Sequence, residues 1–256
     1  MKHLWRVCRI LLVAAFWIAL WAFAAWRVGK PLLFPSPLAV LTRLWELAQT
    51  KEFYTVVGNS LWSVLSGILV AVLAGCILAT LTAHVKPLRD LLLPIMTVIK
   101  ATPVASFIIL ALIWIGAKKV PTFITILIVL PLIWTNLDVG FSKIDRNLWE
   151  VTRVYKMPLW RRWTTLTLPS LKPYFVSACR SSLGLAWKAG IAAEIIASPR
   201  NTIGTMIGDA KQYILTADMF AWTLTVILLS LVIEFVFAAL LNRIGKDPSE
   251  TEVSTC

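Results

Sequence analysis

The sequence predicts an all-α membrane protein with about six transmembrane helices. Of its 256 residues, 59% are hydrophobic and only 15% are charged, and the chain contains thirteen Trp. A soluble domain of this length could not bury so much apolar surface, because too few polar residues remain to cover it. The mean hydropathy of +0.79 therefore indicates that lipid is the solvent for much of the chain.

The formal net charge of +12 does not indicate nucleic-acid binding. The Lys and Arg residues lie mainly between apolar runs, as topology determinants do in membrane proteins. The four Cys are scattered without a C-x-x-C pair, and neither His3 nor His84 has a Cys, His or acidic residue at metal-ligand spacing. We therefore expect no metal site and no catalytic residue.

Six apolar runs are close to the ~20 residues that cross a bilayer. They are Ile10–Trp26, Leu61–Ala83, Leu91–Gly116, Val120–Ser142, Pro173–Ala197 and Met219–Leu241. The first follows a basic segment like that of a signal peptide, but it is longer than a usual h-region and five runs follow, so we expect a retained helix. Lys100 and Pro103 interrupt the third run, which is compatible with a surface helix that leads into a crossing.

The distribution of cations between these runs predicts the orientation. With the N-terminus inside, the cytoplasmic side holds 14 Lys and Arg and the opposite side holds 8, so both termini are expected in the cytoplasm. On the outer side, Ser36 and Pro37 can begin a surface helix, and residues 199–218 are expected to form a large polar loop. We divide the chain into an N-terminal helix region (1–58), a core (59–245) and a cytoplasmic tail (246–256).

The loop over residues 143–172 carries the strongest functional signal. It holds seven Lys and Arg against two acidic residues. Residues 150–155 have helical spacing, Pro158 can begin a second short helix, and Pro169 is expected to end it. A helix–turn–helix of this size at the membrane surface suits the docking of a partner. The alternative is a basic loop that touches anionic lipid, with Trp160 and Trp163 as interfacial anchors.

This loop resembles the "EAA" motif of the permease subunits of bacterial binding-protein-dependent ABC importers. That pattern is Glu-Ala-Ala, three residues, Gly, nine residues and Ile-x-Leu-Pro. Glu150 takes the Glu position, Leu166 the Ile position and Leu168-Pro169 the Leu-Pro position. The chain departs from the pattern at Lys156, where the family usually has Gly, and Met157-Pro158 is expected to supply the bend instead.

Shorter segments extend the resemblance over nearly the whole chain, toward permeases of the nitrate/sulfonate/taurine type. They are Phe34-Pro35-Ser36-Pro37, Asn59-Ser60-Leu61, the stretch from Thr102-Pro103 to Trp114-Ile115-Gly116, and the stretch from Arg180 through Trp187 to Ala193-Glu194. The resemblance implies a type I importer permease in a bacterial inner membrane. It also implies a second permease copy in a homodimer, two cytoplasmic ABC ATPase subunits and an extracytoplasmic solute-binding protein.

In such importers the loop is a coupling helix that sits in a groove of the ATPase. The resemblance assigns this role to Glu150, Val151, Thr152, Arg153, Tyr155, Lys156, Met157, Pro158, Leu159, Leu168 and Pro169. The chain contains no G-x-x-x-x-G-K-[ST] sequence, so ATP and Mg²⁺ are expected on the partner subunits and no cofactor on this chain. The chain is therefore not expected to be an enzyme by itself.

The fifth apolar run carries ionisable residues, which are costly inside a membrane and indicate function. Arg180, Trp187 and Glu194 are seven residues apart and share one stripe of a helix, with Lys188 about 80° to the side. The stripe is a candidate solute pathway, with Arg180 or Lys188 attracting an anion such as nitrate, a sulfonate or taurine. The alternative is that Arg180 and Glu194 are simply solvated near the two membrane surfaces. Relatives of this type also carry uncharged vitamin precursors, so the sequence leaves the solute open.

Two other classes of protein fit the sequence less well. A stand-alone secondary transporter or channel would couple through intramembrane carboxylates and repeated broken helices, and no such repeat is present. A membrane-embedded enzyme would need groups of His, Asp or Cys at the membrane face.

Overall fold

The computed structural model describes residues 2–245, and these are almost entirely helical, with no β-strand among them. The helices are α1 (Lys2–Val28), α2 (Pro37–Ala48), α3 (Lys51–His84), α4 (Lys86–Ala101), α5 (Val104–Ile115), α6 (Val120–Ser142), α7 (Arg146–Val154), α8 (Leu159–Arg162), α9 (Leu168–Ala197), α10 (Ile203–Gln212) and α11 (Thr216–Gly245). A 3₁₀ turn precedes α6, and a π-helical turn joins α8 to α9. The all-α prediction is confirmed, while the predicted tail over residues 246–256 lies outside the described residues.

The predicted count of six spans is only approximated by the described helices. Four are long and apolar enough to cross a membrane, over Leu11–Val28, Lys51–His84, Ala117–Ser142 and Thr216–Leu241, and a bent pair makes a fifth candidate. The fourth predicted run coincides with α6. The fifth predicted run lies in α9, whose 30 residues span about 45 Å. Three ionisable residues, Arg180, Lys188 and Glu194, reduce its apolar character below that of the other spans.

The third predicted run is broken into α4 and α5, which are bent by 105°. Thr102 is extended, with φ −79° and ψ 135°, because the ring of the following Pro103 disfavours helical backbone at the preceding residue. Pro103 then precedes the first residue of α5. The run is therefore two helices rather than one straight span.

The helix predicted to begin at Ser36 and Pro37 is confirmed, but the segment predicted as a second outer loop differs from the prediction. The Ser36 hydroxyl accepts a hydrogen bond from the Ala39 amide (3.3 Å), and Pro37 is the first residue of α2. The segment over residues 199–218 contains α10 and the beginning of α11. Its helical content was missed because the two glycines and the polar residues of α10 hide a short helix.

Residues 2–60 and 198–228 form one compact unit. In it the Arg43 guanidinium donates two hydrogen bonds to the Asp218 carboxylate (2.7 and 3.0 Å) and one to Glu46 (2.8 Å). These bonds, that to Asp218 foremost, raise the pKa of Arg43 above its ordinary value. The Ser60 hydroxyl accepts from the Ile203 amide at the start of α10 (2.9 Å), and Phe53 stacks on Trp222.

Residues 61–197 and 229–245 form a second compact unit, built around the contact between α6 and α9. Helix α3 also approaches α6 closely, since a Cβ at Gly75 would lie 2.8 Å from Cγ2 of Ile133. The Trp134 indole donates to the Thr82 hydroxyl across the same contact (3.1 Å). Because α6 leads into the 143–172 loop and α9 leads out of it, the loop begins and ends on two tightly packed helices.

Candidate functional site

The loop predicted to couple to a partner is two short helices that present an apolar surface. Helix α7 begins at Asp145, whose carboxylate accepts a hydrogen bond from the Asn147 amide (2.8 Å), and it ends at Val154. The side chains of Val154, Tyr155 and Trp160 are 78%, 76% and 80% exposed, and Val151 and Leu159 are exposed beside them. We call these five residues the apolar patch. Glu150 and Arg153 are also exposed, whereas Thr152 is buried.

Lys156 itself makes the bend between α7 and α8. Its φ is +47°, in the left-handed region that favours glycine. The Lys156 amide donates to the Arg153 carbonyl and the Met157 amide donates to the Thr152 carbonyl, each at 3.0 Å. These two bonds are the Schellman pattern that ends many helices. The prediction that Met157-Pro158 replaces the family's glycine is therefore wrong, since the lysine adopts the glycine conformation.

The sequence predicted that the second helix ends at Pro169, and this prediction is wrong. Pro158 precedes α8, which continues through the π-helical turn Trp163–Thr167 into α9. Proline lacks an amide hydrogen and its ring disturbs the preceding turn. The Leu168 amide donates to the Trp163 carbonyl, a wider turn than in an α-helix, directly before Pro169. The wide turn accommodates Pro169, so the loop passes without interruption into α9.

Aromatic and ionic contacts fasten the base of the loop. Trp163 stacks on His84 at the end of α3 (6.2 Å between ring centroids) and meets Phe141 of α6 edge-on (6.4 Å). The alternative interpretation made Trp163 an interfacial anchor in lipid, whereas the structure packs its ring on protein rings. The Arg162 guanidinium carbon lies 4.7 Å from the centre of the Trp149 ring, which joins α8 to α7.

An ion pair lies beside this base. Arg89 of α4 donates two hydrogen bonds to the Asp138 carboxylate of α6 (2.8 and 2.9 Å). The sequence analysis did not single out Arg89 or Trp149. Arg89 is remote in sequence and gave no signal, but Trp149 directly precedes Glu150 in the motif.

The predicted pathway residues of α9 differ in their exposure. Arg180 and Lys188 are exposed, while Trp187 and Glu194 are buried. The Ser63 hydroxyl of α3 donates to the Glu194 carboxylate (3.2 Å), and the Thr122 hydroxyl of α6 donates to the Ser63 carbonyl (2.9 Å). Glu194 is thus buried between helices, and the interpretation that it is solvated at the outer surface is wrong. The stripe is not exposed as a whole, because its Trp187–Glu194 end is packed.

Comparison with known proteins places the chain among transport permeases. The nitrate import permease protein NrtB of Synechococcus elongatus is 27% identical over 204 residues, which cover 75% of this chain and 72% of that protein. The riboflavin transport system permease protein RibX of Chloroflexus aurantiacus is 26% identical over 226 residues, covering 86% and 84%. A chain of the MetNI methionine ABC transporter, solved in inward facing conformations, shares the fold with a TM-score of 0.55 at 14% identity, covering 72% of this chain and 94% of that chain.

These relatives confirm the predicted resemblance to ABC importer permeases and favour it over a stand-alone secondary transporter or channel. Residues 67–246 match the family model described as "Binding-protein-dependent transport system inner membrane component". Because that range covers more than half of the chain, the chain belongs to the family of inner membrane components of binding-protein-dependent transport systems.

Proposed function

We propose that this chain forms the translocation pathway of an ATP-driven importer and that the apolar patch on α7 and α8 docks on a cytoplasmic ATPase subunit. The observation that carries the proposal is the exposure of Val151, Val154, Tyr155, Leu159 and Trp160 on two short helices whose base is fastened to the spans. Exposed apolar clusters of this kind mark interaction surfaces, because leaving them in water costs about 25 cal/mol per Å².

The charge of the patch supports a protein partner rather than a lipid surface. Glu150 is exposed one residue before Val151 at the edge of the patch. An anionic leaflet would attract the exposed Arg153, Lys156 and Arg161 of the loop, but it would repel this carboxylate. A protein groove with a matching cation would instead pair with it. The apolar side chains then supply most of the contact area and Glu150 supplies orientation.

The connection from α8 into α9 supports transmission of motion. A push on the patch acts on α8, the π-helical turn and α9 as one continuous helical segment from Leu159 to Ala197. Trp163 packs this segment against His84 of α3 and Phe141 of α6. Rigid coupling of this kind lets ATPase closure rotate packed spans as a body.

The remaining parts of the importer lie on other chains in this proposal. Two ATPase subunits bind ATP and Mg²⁺ and hydrolyse the nucleotide, since this chain has no phosphate-binding loop. A second copy of this chain completes the pathway as a homodimer, and an extracytoplasmic binding protein delivers the solute. Both termini and the apolar patch face the cytoplasm of a bacterial cell, consistent with the excess of cations on that side.

We place the solute path beside the exposed cations of α9, Arg180 and Lys188. Both cations are exposed on this chain, whereas neighbouring Trp187 is buried. Exposed cations on a membrane helix are expected to face water or a charged ligand rather than lipid. We therefore propose a small anion as the solute, such as nitrate, a sulfonate or taurine.

The test is a mild-detergent purification of the tagged full chain from its native membrane, with mass spectrometry of the bound partners. The wild type should retain a Walker-motif ATPase, and Glu150→Ala should lower its recovery roughly tenfold, as loss of one charge-assisted contact does. Glu52→Ala is the matched control, because Glu52 is an exposed glutamate in the first turn of α3, outside the loop. Recovery of the chain alone, or equal loss in both variants, would contradict the proposal.

A further inference from the structure

A cavity of about 500 Å³ lies at the base of the loop and shares one lining residue, Leu159, with the apolar patch. It is lined by the end of α3, the beginning of α4, the end of α6 and the inner sides of α7 and α8. This volume falls within the range of small-molecule sites, roughly 300–1,000 Å³. Neither docking of an ATPase nor passage of solute along α9 requires it.

The cavity lining is cationic. Lys86, Arg89 and Arg162 contribute to it, and Asp138 is the one carboxylate among the described residues that line it. Asp138 already accepts two hydrogen bonds from Arg89, so these two charges offset each other. Lys86 and Arg162 remain as two positive charges that no further carboxylate of this described lining offsets. Such a surface suits an anion with up to two negative charges.

Arg162 supplies a second and independent observation. Its Nε is buried and meets no acceptor among the residues that the structure describes. A buried donor of this kind is costly unless a ligand or water satisfies it. The Trp149 ring holds the guanidinium from one face at 4.7 Å, which leaves the donors along its edge to be used. Planar guanidinium edges match phosphate oxygens well.

We propose that this cavity binds a phosphate group, with Arg162 and Lys86 as its principal ligands. Two sources carry that chemistry, namely the headgroup of an anionic phospholipid and free inorganic phosphate. A bound phosphate satisfies the buried Nε of Arg162 and fixes α8 to the beginning of α4. The coupling loop is therefore more rigid when the site holds an anionic lipid headgroup or a phosphate ion than when it is empty. It does not rest on the proposed ATPase partner, since every ligand belongs to this chain.

The test uses the full chain, purified without its partners in a neutral detergent and delipidated, with unfolding followed by its Trp fluorescence. Inorganic phosphate is titrated against chloride at equal ionic strength, and phosphatidylglycerol is compared with phosphatidylcholine at equal lipid content. We expect phosphate, phosphatidylglycerol or both to raise the unfolding temperature. If only phosphatidylglycerol raises the unfolding temperature, the phosphate group comes from a lipid headgroup. If only inorganic phosphate raises it, the ligand is the free ion.

Variants assign the effect to the cavity. Arg162→Gln should weaken the apparent Kd at least tenfold, while Arg161→Gln should match the wild type, because Arg161 is exposed and does not line the cavity. Lys86→Gln, a change at an exposed position, should weaken binding in the same way and replaces Arg162→Gln if that variant does not fold. The proposal is overturned if neither ligand stabilises the wild type, or if the cavity variants bind as tightly as Arg161→Gln. Because no ATPase is present, either result leaves the proposed coupling function untouched.

Discussion

Lys156 shows how one residue can depart from a motif and keep its geometry. The family pattern has glycine where this chain has lysine, and the backbone there is left-handed with φ +47°. A side chain in that conformation costs about 1–2 kcal/mol, whereas glycine adopts it freely. The sequence showed the departure but not its consequence, because a single sequence does not distinguish a moved bend from a strained residue.

We therefore expect Lys156→Gly to stabilise the end of α7. Glycine removes the free-energy cost of the left-handed conformation, and this saving exceeds the entropy that the more flexible glycine backbone loses on folding. The free energy of unfolding should therefore rise by about 0.5–1 kcal/mol. The amides of position 156 and of Met157 donate the two capping bonds. Their protection against hydrogen exchange should rise by about two- to fivefold in the variant.

Lys143→Gly is the control for this prediction, because Lys143 follows α6 with φ −95° and gains nothing from glycine. Exchange in the end of α6 should be unchanged or faster in that variant. Unchanged or faster exchange at the end of α7 in Lys156→Gly would contradict the account of the bend.

Glu194 marks the limit of sequence analysis at the residue scale. Helical periodicity placed it on one stripe with Arg180 and Trp187, and the structure keeps that register. Periodicity cannot tell which part of a stripe is packed, since that depends on neighbouring helices. Here the Ser63 hydroxyl of α3 donates a hydrogen bond to the Glu194 carboxylate, and these two residues are far apart in sequence.

At the scale of elements, the burial of α9 changes along its length as well as around its axis. Trp187 and Glu194 are buried, whereas Arg180, on the same stripe, and Lys188, to the side of it, are exposed. Sequence patterns predicted most spans well because apolar length is a local property, and α6 agrees with its predicted bounds. The bend at Pro103 was partly foreseen, whereas the π-helical turn before Pro169 was not, because it depends on how the loop is tethered.

The exposure of Lys188 leads to a prediction for solute uptake. Lys188→Ala should reduce uptake of the solute about fivefold or more, because one charge contact is worth at least about 1 kcal/mol. Lys188→Arg should retain most of the uptake, since it keeps the charge. The measurement is uptake of radiolabelled solute by cells, with the amount of assembled importer determined in parallel. Unchanged uptake in Lys188→Ala would remove this residue from the pathway.

At the scale of the whole molecule, the membrane character and the family were predictable from the sequence. Composition alone identified a membrane protein, and the loop motif identified the family, because both signals are contiguous in sequence. The anchoring of the loop was not predictable in the same way. His84 and Arg89, at the end of α3 and the beginning of α4, are remote from the loop in sequence, and only the fold brings them to its base.

The central claim is that the apolar patch touches an ATPase, and site-specific photo-cross-linking tests it most directly. Tyr155 is replaced by p-benzoylphenylalanine in the full chain, and membranes from cells that carry the whole transport system are irradiated. Trp114, at the end of α5, is the matched control because it is an exposed aromatic residue remote from the loop in sequence. We predict a covalent adduct with a Walker-motif ATPase from position 155 and none from position 114. Absence of the adduct at position 155, or equal adducts at both positions, would contradict the account.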